Sequence, residues 1–215
     1  MSQFVPKHSD FSLTTLLSVM GLVGNPTAGL SAEEACDALS SGQIVSKIWL
    51  IEEFDRIKNE YVPDKLKVIV LGGWLGLLPN MLMSYSTRAS AVHVLHCLDI
   101  DPRCAHLAEE VNRVYLHKGI FRAITADMLE FDVKNYDVII NTSCEHLEDV
   151  RKWFSSLPKG RLTILQSNNM FNHAQHKSCV KNLVEFQNQC VFSHTLFAGE
   201  LPLYRFTRYM LIGVT

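Results

Sequence analysis

The sequence predicts an α/β fold in three layers: a mostly parallel sheet between helices, ending in an antiparallel hairpin and preceded by an N-terminal helical extension. Three observations carry this. From about residue 66, short Val-, Ile- and Leu-rich runs alternate with longer amphipathic stretches, the pattern of strand–helix–strand units in a parallel sheet. The first run, Val68-Ile69-Val70-Leu71, passes directly into Gly72-Gly73-Trp74-Leu75-Gly76 and an apolar stretch, which reads as strand, tight turn and helix. Near the C-terminal end, strand-like segments at 192–199 and 206–214 are joined by only 200–205. No crossover helix fits there, so the two strands pair antiparallel.

The elements follow in order. The 215 residues suit one α/β domain over 66–215 with an extension over 1–65. The extension reads as helical, with a first helix over about 12–23. Ser31-Ala32-Glu33-Glu34 is a capping box, the Ser at the N-cap and a Glu three residues on. Ala35, Ala38 and Leu39 give that helix an apolar face, and Ser40-Ser41-Gly42 interrupts it. Ile44, Ile48, Ile51 and Phe54 recur at helical intervals, predicting a further helix to about residue 61, which Pro63-Asp64 closes. Strands are expected at 66–71, 91–98, 121–125, 136–141 and 161–166, and helices at 77–88, 102–116 and 147–157. The helix at 102–116 opens on Pro102 and carries Cys104, Leu107, Val111 and Val114 on one face.

Composition narrows the function classes. A hydrophobic fraction of 47% with 20% charged residues describes a globular chain with a substantial core, and no segment has the charge-free length that spans a bilayer. Residues 1–26 lack a basic start followed by an apolar block, so no secretory signal is expected. The net charge of −2 and the dispersed basic residues argue against a nucleic-acid partner. Six cysteines are scattered without a C-x-x-C pair, which argues against a zinc site or a disulfide framework and for reduced thiols in a cytoplasmic protein.

In open α/β sheets, ligands sit beyond the carboxyl ends of the strands. After the first strand stand Gly72, Gly73 and Gly76; after the second, Asp99-Ile100-Asp101; after the third, Asp127-Met128; after the fourth, the segment from Asn141 to His146; after the fifth, Gln166-Ser167-Asn168-Asn169. Glycines let the backbone approach a ligand. An acid ending the second strand accepts from ribose hydroxyls. Asp127 can accept from an exocyclic amine, and Met128 can lie against a purine ring. The ordered set says more than the glycine turn alone.

With those residues, VIVLGGWLG, LDIDP, ADM and YDVIINTSCEHLED, the chain over about 67–215 resembles the class I, Rossmann-like, S-adenosylmethionine (SAM) dependent methyltransferases. The resemblance implies SAM as cofactor, with Gly72, Gly73, Trp74 and Gly76 beneath its methionine part. It places Asp99 at the ribose, Asp127 with Met128 at the adenine, and Asn141 and Ser143 near the amino acid end and the reacting methyl, with Ile100 also lining the cofactor. It also implies that the helical extension caps the pocket. The sequence departs from the family pattern in two places. No acid precedes the glycines, where Val68, Val70 and Leu71 stand, and Trp74 replaces a small residue. Either the loop takes an altered path or other groups hold the methionine ammonium. The candidates are the Gly72 carbonyl, Asn141 and the segment from Gly42 to Lys47, with Lys47 pairing the carboxylate and Gln43 or Ser46 donating to it.

Glu145-His146 stands where many small-molecule members carry such a pair, and either residue could take the proton from the methyl acceptor. Equally, Ser143 or Glu145 caps the next helix and His146 packs beneath it. Cys144 has no recognisable base beside it and reads as a small buried hydrophobe. His173 and His176 form a conceivable metal pair, but no third ligand is signalled, so no metal is expected. Gln166, Asn168 and Asn169 read as substrate hydrogen-bonders or as a turn. Tyr204, beside Arg205 and Arg208, is a further substrate candidate, while those arginines either clamp an acid or are solvated. The expected function is methyl transfer to N, O or C of a small molecule. A SAM-using lyase or cyclase that releases methylthioadenosine, and a non-catalytic binding protein with this fold, remain the alternatives. The substrate and the oligomeric state are not written in the sequence.

Overall fold

A computed structural model of the chain describes residues 31–215; the helix expected over 12–23 lies outside them. Seven strands form one sheet: β1 (Leu66–Leu71), β2 (Val92–Asp99), β3 (Phe121–Thr125), β4 (Val138–Asn141), β5 (Leu162–Asn168), β6 (His194–Pro202) and β7 (Thr207–Val214). Their spatial order is β3-β2-β1-β4-β5-β7-β6. All neighbours are parallel except β7, which runs antiparallel to both β5 and β6. The expected terminal hairpin is therefore present, and its second strand inserts beside β5.

The helices are α1 (Ala32–Ala38), α2 (Ser41–Arg56), α3 (Leu77–Tyr85), α4 (Pro102–Val111), α5 (Arg113–His117), α6 (Val150–Ser156) and α7 (Leu183–Gln189). Most begin where a side chain accepts from an orphan amide. The Ser31–Glu34 capping box forms in both directions. Asp101 caps α4 through the Arg103 amide, Asp149 caps α6 through that of Lys152, and Asn182 caps α7 through that of Glu185.

Two cores sandwich the sheet. Phe54, Leu50 and Trp49 of α2 pack with α3, α4, Val68, Val70, Ile140, Met210 and Ile212. Ile69, Leu71, Ile139 and Leu211 face the other way, toward Trp153, Phe154 and Phe186. β1 and β4 are buried nearly throughout because helices cover both faces, which explains their continuous apolar runs. Helix α2 shares this core, with Trp49 edge-on to Phe197 of β6 and the Ser46 carbonyl accepting from Gln166 of β5.

Several boundaries differ from expectation, each for a local reason. The helix expected over 102–116 divides at Asn112, whose side chain donates to the Ala108 and Gly76 carbonyls. The helix expected over 77–88 stops at Tyr85, where Ser86 turns to donate to Asp55 of α2. The one expected from residue 147 begins at Val150, because Cys144–His146 winds as a single 3₁₀ turn and Asp149 supplies the cap. Strand β5 continues to Asn168, so Gln166, Ser167 and Asn168 lie within the sheet rather than beyond it.

The strand order reverses between β1 and β4, and such a switch point opens a crevice at the carboxyl ends of the two strands. Leu71 and Asn141 are paired across it. The glycine turn and the segment from Asn141 to His146 therefore leave the sheet side by side.

Candidate active site

The turn after β1 is shaped by close approach. The Gly73 amide donates to the Leu98 carbonyl at 3.0 Å, and a Cβ added at Gly73 would stand 2.3 Å from Cys97 Sγ. Gly76, at φ +68°, precedes α3, and a Cβ there would meet Asn112 Nδ2 at 2.7 Å and Ala108 at 2.8 Å. Between them Trp74 adopts φ +47°, a left-handed conformation that costs an L residue about 1–2 kcal/mol. Its amide donates to Asp99 Oδ2 at 2.8 Å, which holds the turn against β2 despite that cost. The Trp74 side chain is half-buried and packs against the core.

Asp99 also accepts from the Asp101 amide, through Oδ1 at 3.1 Å. A carboxylate offers about four acceptor positions, so these two bonds leave half of them for a ligand. Ile100 beside it is 67% exposed. Asp127 Oδ1 accepts from the Leu129 amide at 2.8 Å. The Met128 methyl, Ser143 and Gly72 converge: a Cβ built on Gly72 would lie 3.2–3.3 Å from both side chains. Buried Asn141 donates to Met128 Sδ and accepts from the Ser143 amide. The ends of β1, β3 and β4 therefore form one contiguous surface, with Asp99 at the end of β2 tethering the turn.

On the β5 side lies a buried polar well. Glu145 Oε1 pairs with Arg208 Nη1 at 2.9 Å and accepts from Asn168 Nδ2 at 2.5 Å; both charged side chains are at most 6% exposed. Arg208 is therefore buried rather than solvated. The signal was present in the sequence, since alternation along β7 places Arg208 on the face of Met210 and Ile212, both core residues. Lys47 donates to Gln43 Oε1 at 2.5 Å. Burial, aided by the Arg208 guanidinium, pushes its pKa down to about 7, with Asp37 and Glu145 acting the other way. Ser46 is buried and spends its hydroxyl on the Gln43 carbonyl.

The fifth-strand amides are largely engaged within the protein. Gln166 donates to Ser46, Asn168 to Glu145, and Asn169 accepts from the Thr207 amide at 2.7 Å. Tyr204 stands 100% exposed on the turn between β6 and β7. Cys144 is fully buried and burial raises its thiol pKa, consistent with a packing role. His146 is exposed at the mouth, its ring 4.8 Å from that of His176 and 6.4 Å from that of His173.

No family model matches the chain, and no curated protein matches it in sequence. Solved structures do. Magnesium protoporphyrin IX methyltransferase (ChlM) from Synechocystis PCC 6803, with bound S-adenosylhomocysteine (SAH), matches at a TM-score of 0.59 and 14% identity, covering 95% of each chain. N-methyltransferase NodS from Bradyrhizobium japonicum WM9 matches at 0.59 and 10% identity, over 83% of this chain and 98% of that one. Geranyl diphosphate methyltransferase in complex with SAM matches at 0.60 and 10% identity, over 91% and 94%. The fold is that of the class I methyltransferases. At these identities the likeness is one of architecture. Within the class I fold, the glycine turn, Asp99, Met128 and Asn141 all sit at the carboxyl ends of β1 to β4, where the switch point opens.

Two stability measurements test this geometry. Because position 74 is left-handed, Trp74→Gly should be more stable than Trp74→Ala by about 1 kcal/mol in denaturant unfolding, inverting the usual preference for Ala. The opposite order would show that the turn relaxes when the indole is removed. For Lys47, the ordinary value is 10.5 and the folded value about 7. Between these, the unfolded chain retains a proton that the folded one has released, so this group makes stability rise with pH across that window. Below about pH 7 both states carry the charge, and the folded state bears a half-buried, poorly solvated ammonium. Lys47→Met should therefore gain most over wild type at pH 6, the difference shrinking toward pH 10. A pH-independent difference would refute the assignment.

Proposed function

We propose that this protein binds SAM beyond the carboxyl ends of β1 to β4 and transfers its methyl to a small molecule. The observation that carries the reading is Asp99. Its carboxylate holds the strained turn through Trp74, yet keeps acceptor positions for two ribose hydroxyls. On this reading Gly72, Gly73, Trp74 and Gly76 floor the methionine part, while Ile100 and Met128 flank the adenine and Asp127 accepts from its amine. The Asn141 amide and the Gly72 carbonyl face the amino acid end. Lys47 pairs the carboxylate, and Ser46 contributes by positioning Gln166 rather than by touching the cofactor.

Support comes from the fold itself and from the neighbours carrying SAM or SAH. Methyl transfer from a sulfonium needs mainly alignment of the nucleophile and removal of its proton. Glu145 is buried and commits one carboxylate oxygen to Arg208 and Asn168, which leaves His146 as the exposed group able to assist deprotonation. Helix α2, carrying Lys47, serves as part of a cap that excludes water. Asn168, Asn169 and Gln166 shape the acceptor side chiefly by holding Glu145, β7 and α2 in place.

Calorimetric titration with SAH tests the assignment. Hydrogen bonds to a charged group contribute about 1.5–3 kcal/mol each, so Asp99→Ala should weaken SAH at least tenfold, with Asp99→Asn in between. Thermal melting of each variant separates lost affinity from lost fold. Equal affinity in wild type and a folded Asp99→Ala, or no binding to wild type, would refute the proposal.

A further inference from the structure

We propose that His146, His176 and Glu145 form a binding site for a divalent transition-metal ion of the zinc class at the mouth of the candidate active site. Two backbone hydrogen bonds build it. The amides of Lys177 and Ser178 donate to the Glu145 carbonyl at 2.8 and 3.0 Å, pinning the loop after β5 onto the turn after β4. Residues far apart in sequence thus become neighbours. A carboxylate oxygen of Glu145 and ring nitrogens of His146 and His176 all lie within 4.8 Å of one another. Ligand atoms bonded tetrahedrally to one zinc ion at about 2.0–2.1 Å stand about 3.4 Å apart, so side-chain movements of about 1–1.5 Å close the site.

The donor chemistry fits. His176 Nδ1 lies 2.9 Å from the Met170 carbonyl, which can only accept. The proton therefore sits on Nδ1, and Nε2 presents its lone pair, the arrangement by which a backbone carbonyl orients a metal-ligating histidine. Cys179 Sγ approaches the Nδ1 side at 3.5 Å, so it belongs to the support rather than to the ligand set. An independent observation comes from Glu145. This side chain is 3% exposed, yet while Oε1 is taken by Arg208 and Asn168, Oε2 has no hydrogen-bond partner among the described residues. A buried carboxylate oxygen left without a partner is costly, and a cation supplies what it lacks. His173 lies against His176, the rings tilted by 33° with centroids 4.3 Å apart, and braces it.

Two imidazoles and one carboxylate leave coordination positions for water or a substrate oxygen, as catalytic zinc sites do. The use of that position rests on the methyl-transfer reading; the binding of the ion does not. There, an acceptor hydroxyl ligated to the ion loses its proton to solvent more readily, and its oxygen bonds to the methyl carbon as the S–CH₃ bond breaks to leave SAH. His146 then assists deprotonation as a ligand.

Chelator-stripped protein titrated calorimetrically with Zn²⁺, and with Co²⁺ followed by visible absorption, tests the site. Wild type should bind one ion per chain at this site. Because even the loss of a supporting partner costs about 10–100-fold in metal affinity, His146→Ala and His176→Ala should each weaken binding by more than about tenfold, while His117→Ala leaves it unchanged. Circular dichroism verifies that the variants fold. Absence of binding in wild type, or binding unaltered in a folded His146→Ala/His176→Ala double variant, would overturn the proposal. SAH titration of the same proteins reports separately on the cofactor reading, so the two can fail independently.

Discussion

The ion pair between Glu145 and Arg208 is the contact on which the β5–β7 side of the candidate site depends. Burying two charges is expensive, and breaking such a pair typically costs more than its net contribution. The structure keeps it because one carboxylate oxygen also accepts from Asn168. This small network joins the turn after β4 to β5 and β7. Through the Glu145 carbonyl it also fastens the loop carrying His176. Lys47 of α2 comes close enough for both members of the pair to act on its charge. Removing either charge would leave the other buried, so the geometry of the site and the stability of the β5–β7 pairing are tied together.

The cofactor half depends on a different kind of constraint, close packing. Gly73 and Gly76 are required because Cys97, Ala108 and Asn112 occupy the space that a side chain would need. The turn is therefore set by β2 and α4 as much as by its own sequence. Asp99 connects the two requirements, taking the Trp74 amide while remaining available at the switch point. The strain at Trp74 is offset locally, with no acid preceding the glycines.

What could be read from sequence follows from the range of the interactions. β1 and β4 were legible because burial on both faces writes itself as an uninterrupted apolar run. The terminal hairpin was legible from the length of its connection, and the Ser31–Glu34 capping box from spacing alone. The break at Asn112 was not, because its cause is a carbonyl 36 residues away at Gly76. Glu145 and His146 were singled out by chemistry, but the commitment of Glu145 depends on Arg208, 63 residues later. In the sequence His176 pairs only with His173, three residues before it. The fold instead supplies His146 and Glu145 from the preceding strand's turn.

The SAM site proposed above lies beyond the carboxyl ends of β1 to β4, with the nucleotide on the β2–β3 side and the amino acid end toward α2. A crystal structure of the protein with SAH tests this most directly. The account predicts ribose hydroxyls on the Asp99 carboxylate, adenine against Met128 with its amine toward Asp127, and the homocysteine carboxylate within reach of Lys47. SAH bound elsewhere would contradict it, for example in the cleft at the opposite ends of the strands lined by Asn59, Tyr61 and Arg161. So would a complex in which Asp99 makes no contact with the ligand.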